Sequence, residues 1–194
     1  MLSIISIVFR SLQILFAVVV VGLSATFMKA QEYGDSPTTT RFSVFVGAFG
    51  MIAGALGLVA VFLDRIPSLV PMVIDGLGAL FFLAGGIAWA VAMKGQTCTE
   101  ASLKKLYDNA LLNQGCPPNQ KLSSNEGPYC YVAGTQKEDG WPLTDLWPSP
   151  LKGLCQKAFA NETFQFVGFA SFVILVGLSF LQAKRKGSKP TFVA

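Results

Sequence analysis

The chain has 194 residues, of which 52% are apolar and only 13% are charged. A typical soluble domain is about 25% charged, so this composition indicates a membrane protein rather than a water-soluble domain. Histidine is absent, which excludes His-based acid–base catalysis, His-containing triads and most transition-metal sites. The 16 Phe residues exclude a disordered chain, because disordered chains are poor in aromatic residues.

Four stretches are apolar and long enough to cross a bilayer, which requires about 18 or more residues. The predicted spans are residues 12–28, with an extension through Arg10 toward the N-terminus, then 42–63, 66–93 and 164–183. A chain of this length cannot enclose four such helices in other protein. The sequence therefore predicts an all-α membrane protein with a four-transmembrane-helix bundle. The first span is longer than the apolar core of a secretory signal, so we expect it to be retained.

The basic residues near the span ends predict the orientation of the bundle. An even number of spans places both termini on one side, and that side holds Arg10, Arg65 and the tail of residues 184–194. The two loops on the other side carry equal numbers of basic and acidic residues. We therefore expect both termini to be cytoplasmic. The tail would attract anionic lipid headgroups, at about 1 kcal/mol per basic residue, through Lys184, Arg185, Lys186 and Lys189.

All four cysteines lie in the long loop of residues 94–163, on the predicted extracellular side. An even count on that side predicts two disulfides, and four cysteines allow three pairings. The positions of Cys98 and Cys155 near the ends of the neighbouring spans favour Cys98–Cys155 as a basal disulfide and Cys116–Cys130 as an inner one. A zinc site is not expected, because the C-x2-C spacing and His are both missing.

Two further features of this loop are predicted. Residues 100–112 place Leu103, Leu106 and Leu111 at helical spacing, which favours a short helix, whereas residues 116–150 are rich in turn residues. Asn161 begins an N-x-T glycosylation sequence on the extracellular side, although the nearby fourth span limits access to it.

The second span carries four glycines on one helical face, which are Gly47, Gly50, Gly54 and Gly57. Small residues let helices approach closely in lipid, where a hydrophobic driving force between helices is absent. Two interpretations are open at this point: packing within the bundle, or self-association of two copies through this face.

Asp75 is the one charge well inside a predicted span. Charges in the membrane are costly and often functional. Three interpretations are open: a pair with Arg10 or Gln13, which lie at a similar depth on the first helix, a structural acid held in a polar pocket, or part of a transport or proton path. A lone acid without a second ionisable group inside another span makes a poor relay.

Two short blocks and the order of the hydrophobic segments carry a family resemblance. The first block is Asp75 followed by residues 83–98 (LAGGIAWAVAMKGQTC), and the second is residues 155–160 (CQKAFA), which lead into an aromatic-rich fourth span. With the segment order over residues 5–182, the chain resembles the fungal MARVEL-domain membrane proteins, and within them the non-classical export protein 2 group. The loop of residues 116–150 departs from that pattern.

The resemblance implies a non-enzymatic component of the fungal plasma membrane that organises lipid domains in furrow-like compartments, the eisosomes. The implied partners are membrane lipids, with sphingolipid, sterol and anionic lipid as candidates, and a second copy of the chain or another membrane protein. No cofactor, metal, catalytic residue or nucleic-acid partner is expected. Two alternatives stay open: an accessory subunit of a larger membrane enzyme or transporter, and a tetraspanin-like scaffold, although the Cys-Cys-Gly signature of tetraspanins is absent.

Overall fold

A computed structural model of the chain describes residues 2–31, 34–62, 69–99, 106, 109–115 and 150–187. These residues form four long helices, α1 (Leu2–Ala30), α2 (Thr38–Phe62), α3 (Leu69–Ala92) and α4 (Pro150–Gly187). All four are long and apolar enough to cross a membrane. Within the described residues, the structure thus confirms the predicted helical bundle with four apolar helices long enough to span a membrane.

The helices form a closed ring in which α1 packs on α2, α2 on α3, α3 on α4, and α4 on α1. The middle of the ring is filled by apolar side chains from every helix, namely Ala17, Val20, Val46, Ala53, Ala79, Phe82 and Phe172. The outer faces of all four helices expose large apolar side chains. This distribution is typical of a bundle whose outer surface faces lipid.

The helix α4 begins at Pro150, well before the span predicted from residue 164. Its first turns bury Leu151, Leu154, Cys155 and Ala158, which recur at helical spacing, and they expose Lys157. Charged residues interrupt the apolar run, so hydropathy does not detect these turns although the periodicity does. With 38 residues, α4 is about 57 Å long and exceeds the ~30 Å hydrocarbon thickness.

The early turns of α4 pack into a second apolar cluster, the end cluster, where α1 and α3 finish. α3 stops at a turn with Gly95 in the left-handed region, at φ 72°. Of the helix predicted over residues 100–112, the structure describes residue 106 and residues 109–112, and Leu106 and Leu111 are buried in the end cluster; Leu103 lies outside the described residues. The full cluster is Phe27, Trp89, Met93, Leu106, Leu111, Leu112, Leu151, Leu154, Cys155 and Ala158.

Candidate functional site

The first polar feature inside the bundle is an ion pair between Arg10 of α1 and Asp75 of α3. The guanidinium donates two hydrogen bonds to the carboxylate, Nη1 to Oδ1 at 2.5 Å and Nη2 to Oδ2 at 2.7 Å. Arg10 Nη1 also donates to Gln13 Oε1 at 3.4 Å. Arg10 is 2% exposed and Asp75 is fully buried. The structure thus brings together the three residues that the sequence places at one depth, and we name this group the ion-pair layer.

The arrangement removes the main cost of placing a charge in lipid. An unpaired Arg or Asp at the centre of a membrane helix costs about 2.5–3.5 kcal/mol on insertion scales. Breaking a buried pair by removing one partner costs about 3–5 kcal/mol, because the other charge stays buried without compensation. Among the described residues, Arg10 and Asp75 are the buried ionisable side chains, so the charges satisfy each other and do not continue into a chain of acids and bases.

The four glycines of α2 are all buried. A Cβ on Gly47 would lie 2.9 Å from the backbone oxygen of Ala17, and a Cβ on Gly54 would lie 2.5 Å from Ile14 Cγ1. At Gly57 a Cβ would collide with the guanidinium of Arg10. The remaining glycine, at position 50, faces both α1 and the ring of Phe82. The glycine face therefore packs within the bundle, chiefly against α1, and is not available for self-association in this arrangement.

A second polar group, the amide layer, lies toward the end cluster and ties all four helices together. Ser43 Oγ of α2 accepts hydrogen bonds from the indole Nε1 of Trp89 and from Gln165 Nε2, the latter at 3.0 Å. On the other side, Asn161 Nδ2 donates to Ser24 Oγ at 3.3 Å. All five residues are fully buried.

Sequence reasoning did not anticipate the amide layer. The available signal was Asn161 and Gln165, two amides one turn apart on α4 at the start of an apolar run. The two layers are about 21 Å apart, measured along α1 from Arg10 to Ser24 and along α3 from Asp75 to Trp89. Polar side chains thus occur near both ends of the bundle, with apolar packing between them.

The same geometry bears on the glycosylation sequence at Asn161, to which the sequence already predicts limited access. The side chain is fully buried and its amide nitrogen is bonded to Ser24 in the bundle interior. An N-linked sugar needs this nitrogen free on the protein surface. The position of Asn161 therefore argues against glycosylation.

The structure joins Cys98 and Cys155 in a disulfide, with Cα atoms 5.7 Å apart. Cys155 is fully buried in the end cluster and Cys98 packs against it. This is the pair proposed from the sequence for the basal position, and its formation in the cell stays a prediction. Cys116 and Cys130 lie outside the described residues.

The predicted basic tail begins at the end of the bundle opposite the end cluster. Lys184 is exposed near the end of α4, which continues to Gly187, while Arg65 and Lys189 lie outside the described residues. A cavity of about 490 Å³ opens between residues 37–39, the end of α3 and residues 109–111, and none of the described residues that line it is ionisable. Within the described part of the chain, no three His, Cys, Asp or Glu residues come together as metal ligands.

A ring of four long apolar helices, with an ion pair and hydrogen-bonded side chains inside and apolar side chains outside, defines an integral membrane protein of the four-span class. The chain belongs to the MARVEL family, because the model of the MARVEL membrane-associating domain matches residues 3–178. It is similar to the Non-classical export protein 2 homolog of Schizosaccharomyces pombe, with 33% identity over 111 residues. That alignment covers 56% of this chain and 58% of the relative. No solved structure matches the chain. The comparisons confirm the family resemblance predicted from the sequence.

Proposed function

We propose that this chain is a non-enzymatic organiser of the fungal plasma membrane, which gathers lipids into eisosome-type domains through lateral contacts of its helices. Both termini are cytoplasmic in this proposal, and the loop between α3 and α4 is extracellular. The lipid partners are sphingolipid, sterol and anionic lipid. A second copy of the chain or another membrane protein would contact the same outer helix faces.

The observation that carries the proposal is the continuous apolar outer surface. Every helix contributes large exposed apolar side chains, for example Ile4 at 67%, Phe62 at 74%, Val91 at 67% and Phe180 at 59% exposure. Outer surfaces of this kind contact lipid tails or other membrane helices. The chemistry that the described residues offer is therefore lateral contact within the membrane.

The closed interior supports an organiser over a transporter. Proton and ion pathways are marked by series of intramembrane ionisable groups. Here Arg10 and Asp75 are bonded to each other, and they are the ionisable side chains buried within the described ranges. The family assignment also supports an organiser, since MARVEL is a membrane-associating domain.

The basic tail supports contact with the cytoplasmic leaflet. Lys184 is exposed close to the end of α4, and Arg185, Lys186 and Lys189 follow in the sequence. Basic residues beside a span attract the anionic lipids that are enriched in this leaflet. This attraction is sensitive to salt, because the charges lie in water.

The proposal is tested in fungal cells that carry a fluorescent eisosome marker. We expect a tagged chain to lie in the marked furrows, and we expect deletion of the chain to reduce their number. An even distribution of the tagged chain over the cell surface, together with unchanged furrows after deletion, would refute the proposal.

Native purification in a mild detergent tests the competing role of an accessory subunit. We expect the chain to purify with lipid, alone or as copies of itself. A larger partner protein in fixed stoichiometry would contradict a stand-alone organiser.

A further inference from the structure

Arg10 lies in a slot that α1 and α2 form between them. Its guanidinium occupies the space where any side chain at position 57 would begin, since a Cβ on Gly57 would collide with Cζ and Nη1. A Cβ on Gly54 would in turn lie 3.7 Å from the backbone oxygen of Arg10. Arg10 thus packs between the first two helices, and its guanidinium meets Asp75 of α3.

The helix α3 is the span that needs such a partner. It combines Pro71, several glycines and the buried Asp75, and an Asp side chain is too short to reach the membrane surface, whereas an Arg side chain can reach it. α1 can therefore cross the membrane with an unpaired Arg, whereas α3 is penalised for an unpaired Asp.

The order along the chain matches this division. α1 and α2 precede α3, so the guanidinium is in the membrane before the acid arrives. Both oxygens of Asp75 are used by Arg10, at 2.5 and 2.7 Å. The carboxylate is fully buried, so neither water nor a lipid headgroup neutralises it in the finished bundle.

We propose that the α1–α2 hairpin retains α3 in the membrane through Arg10, and that the Arg10–Asp75 pair therefore decides on which side the loop between α3 and α4 lies. Without the guanidinium, α3 stays on the side it starts from, and the loop stays there with it. The pair is thus a topology-determining element as well as a packing contact. The direction of the effect rests on the orientation given under the proposed function.

The test uses two engineered N-glycosylation acceptors in translation with microsomes, which reports insertion before any later loss of unstable protein. One acceptor precedes Met1, and the other is made in the loop by Lys121→Thr, which completes an acceptor sequence at Asn119. In the parent chain we expect a glycan on the loop acceptor and none at the N-terminus. In Arg10→Ala we expect the loop glycan to fall by at least half, without a glycan appearing at the N-terminus.

Two variants separate insertion from general damage. Arg10→Ala combined with Asp75→Asn removes the unpaired acid, so the loop glycan should return to near the parent level. Arg41→Ala is the matched control, because Arg41 is half exposed and pairs with the exposed Asp35 outside the bundle, and it should leave the loop glycan unchanged.

The outcomes distinguish the inference from the proposed orientation. A glycan on only one of the two acceptors shows that they lie on opposite sides of the membrane. In that case α3 has crossed the membrane, in either orientation of the chain. A parent chain glycosylated at the N-terminus alone would overturn the orientation, and loss of that pattern in Arg10→Ala would still support the inference. Arg10→Ala with the parent pattern in full would overturn the inference, even if the purified bundle were less stable.

Discussion

The close contact of α1 and α2 makes a quantitative prediction at Gly47. Replacing it with Ala places a Cβ 2.9 Å from the backbone oxygen of Ala17 and 3.1 Å from the backbone nitrogen of Val21. Backbone atoms cannot move aside as a flexible side chain does, so α1 and α2 must separate. Overpacking of this kind costs about 1–3 kcal/mol, while Ala in place of Gly favours the helix by roughly 1 kcal/mol.

The matched control is Gly22→Ala on the outer face of α1, where an added Cβ meets nothing within 4 Å. Both variants gain the same helix propensity, so the difference between them isolates the packing cost, about 1–3 kcal/mol. For a chain of this size each kcal/mol shifts Tm by about 2–4 °C. Thermal unfolding in detergent should therefore place Gly47→Ala roughly 2–12 °C below Gly22→Ala. Equal Tm values for the two variants would refute the packing of α2 on α1 through this glycine.

Three further outcomes follow from the amide layer and the end cluster. Ser43→Ala leaves the indole and amide donors of the amide layer without their acceptor, so Tm should fall by the equivalent of about 1–3 kcal/mol, whereas Ser11→Ala, at an exposed hydroxyl bonded within its own helix, should change it little. A non-reducing peptide map should join the peptides of Cys98 and Cys155, and free thiols at both positions would contradict the pairing and the extracellular loop. Glycosidase treatment should leave the mobility of the chain unchanged, and a shift abolished by Asn161→Gln would show that the amide is not buried as described.

The fold class followed from hydropathy because the dominant constraint on a membrane chain is local. Each span must satisfy its own backbone hydrogen bonds and expose apolar side chains, so its position is written in consecutive residues. The limits of the spans depend on contacts between helices and are less local. The span predicted over residues 12–28, with an extension through Arg10, is part of the helix α1 that begins at Leu2. This helix carries Arg10 inside an apolar run because Asp75 of another helix neutralises it.

The polar interior shows the same limit. Asp75, Arg10 and Gln13 could be singled out because charges and amides are rare in apolar runs, and their depth suggested a pair without establishing it. Ser24 and Ser43 gave no such signal, since single serines are common in membrane helices and bond to their own backbone. Their role depends on which helix lies opposite. The amides of α4 that bond to them are more than a hundred residues away in the sequence.

The two polar layers explain how this bundle can present a fixed surface to lipid. They lie about 21 Å apart along the helices, which is less than the hydrocarbon thickness of about 30 Å, so both layers fit within one membrane core. The ion-pair layer joins α1 to α3. The amide layer joins α2 to both α3 and α4, and it also joins α1 to α4. Rotation of any one helix would leave buried donors unpaired in an apolar medium, where each lost bond is costly. The outward apolar faces are therefore held in one orientation, as the proposed lateral contacts with lipid require.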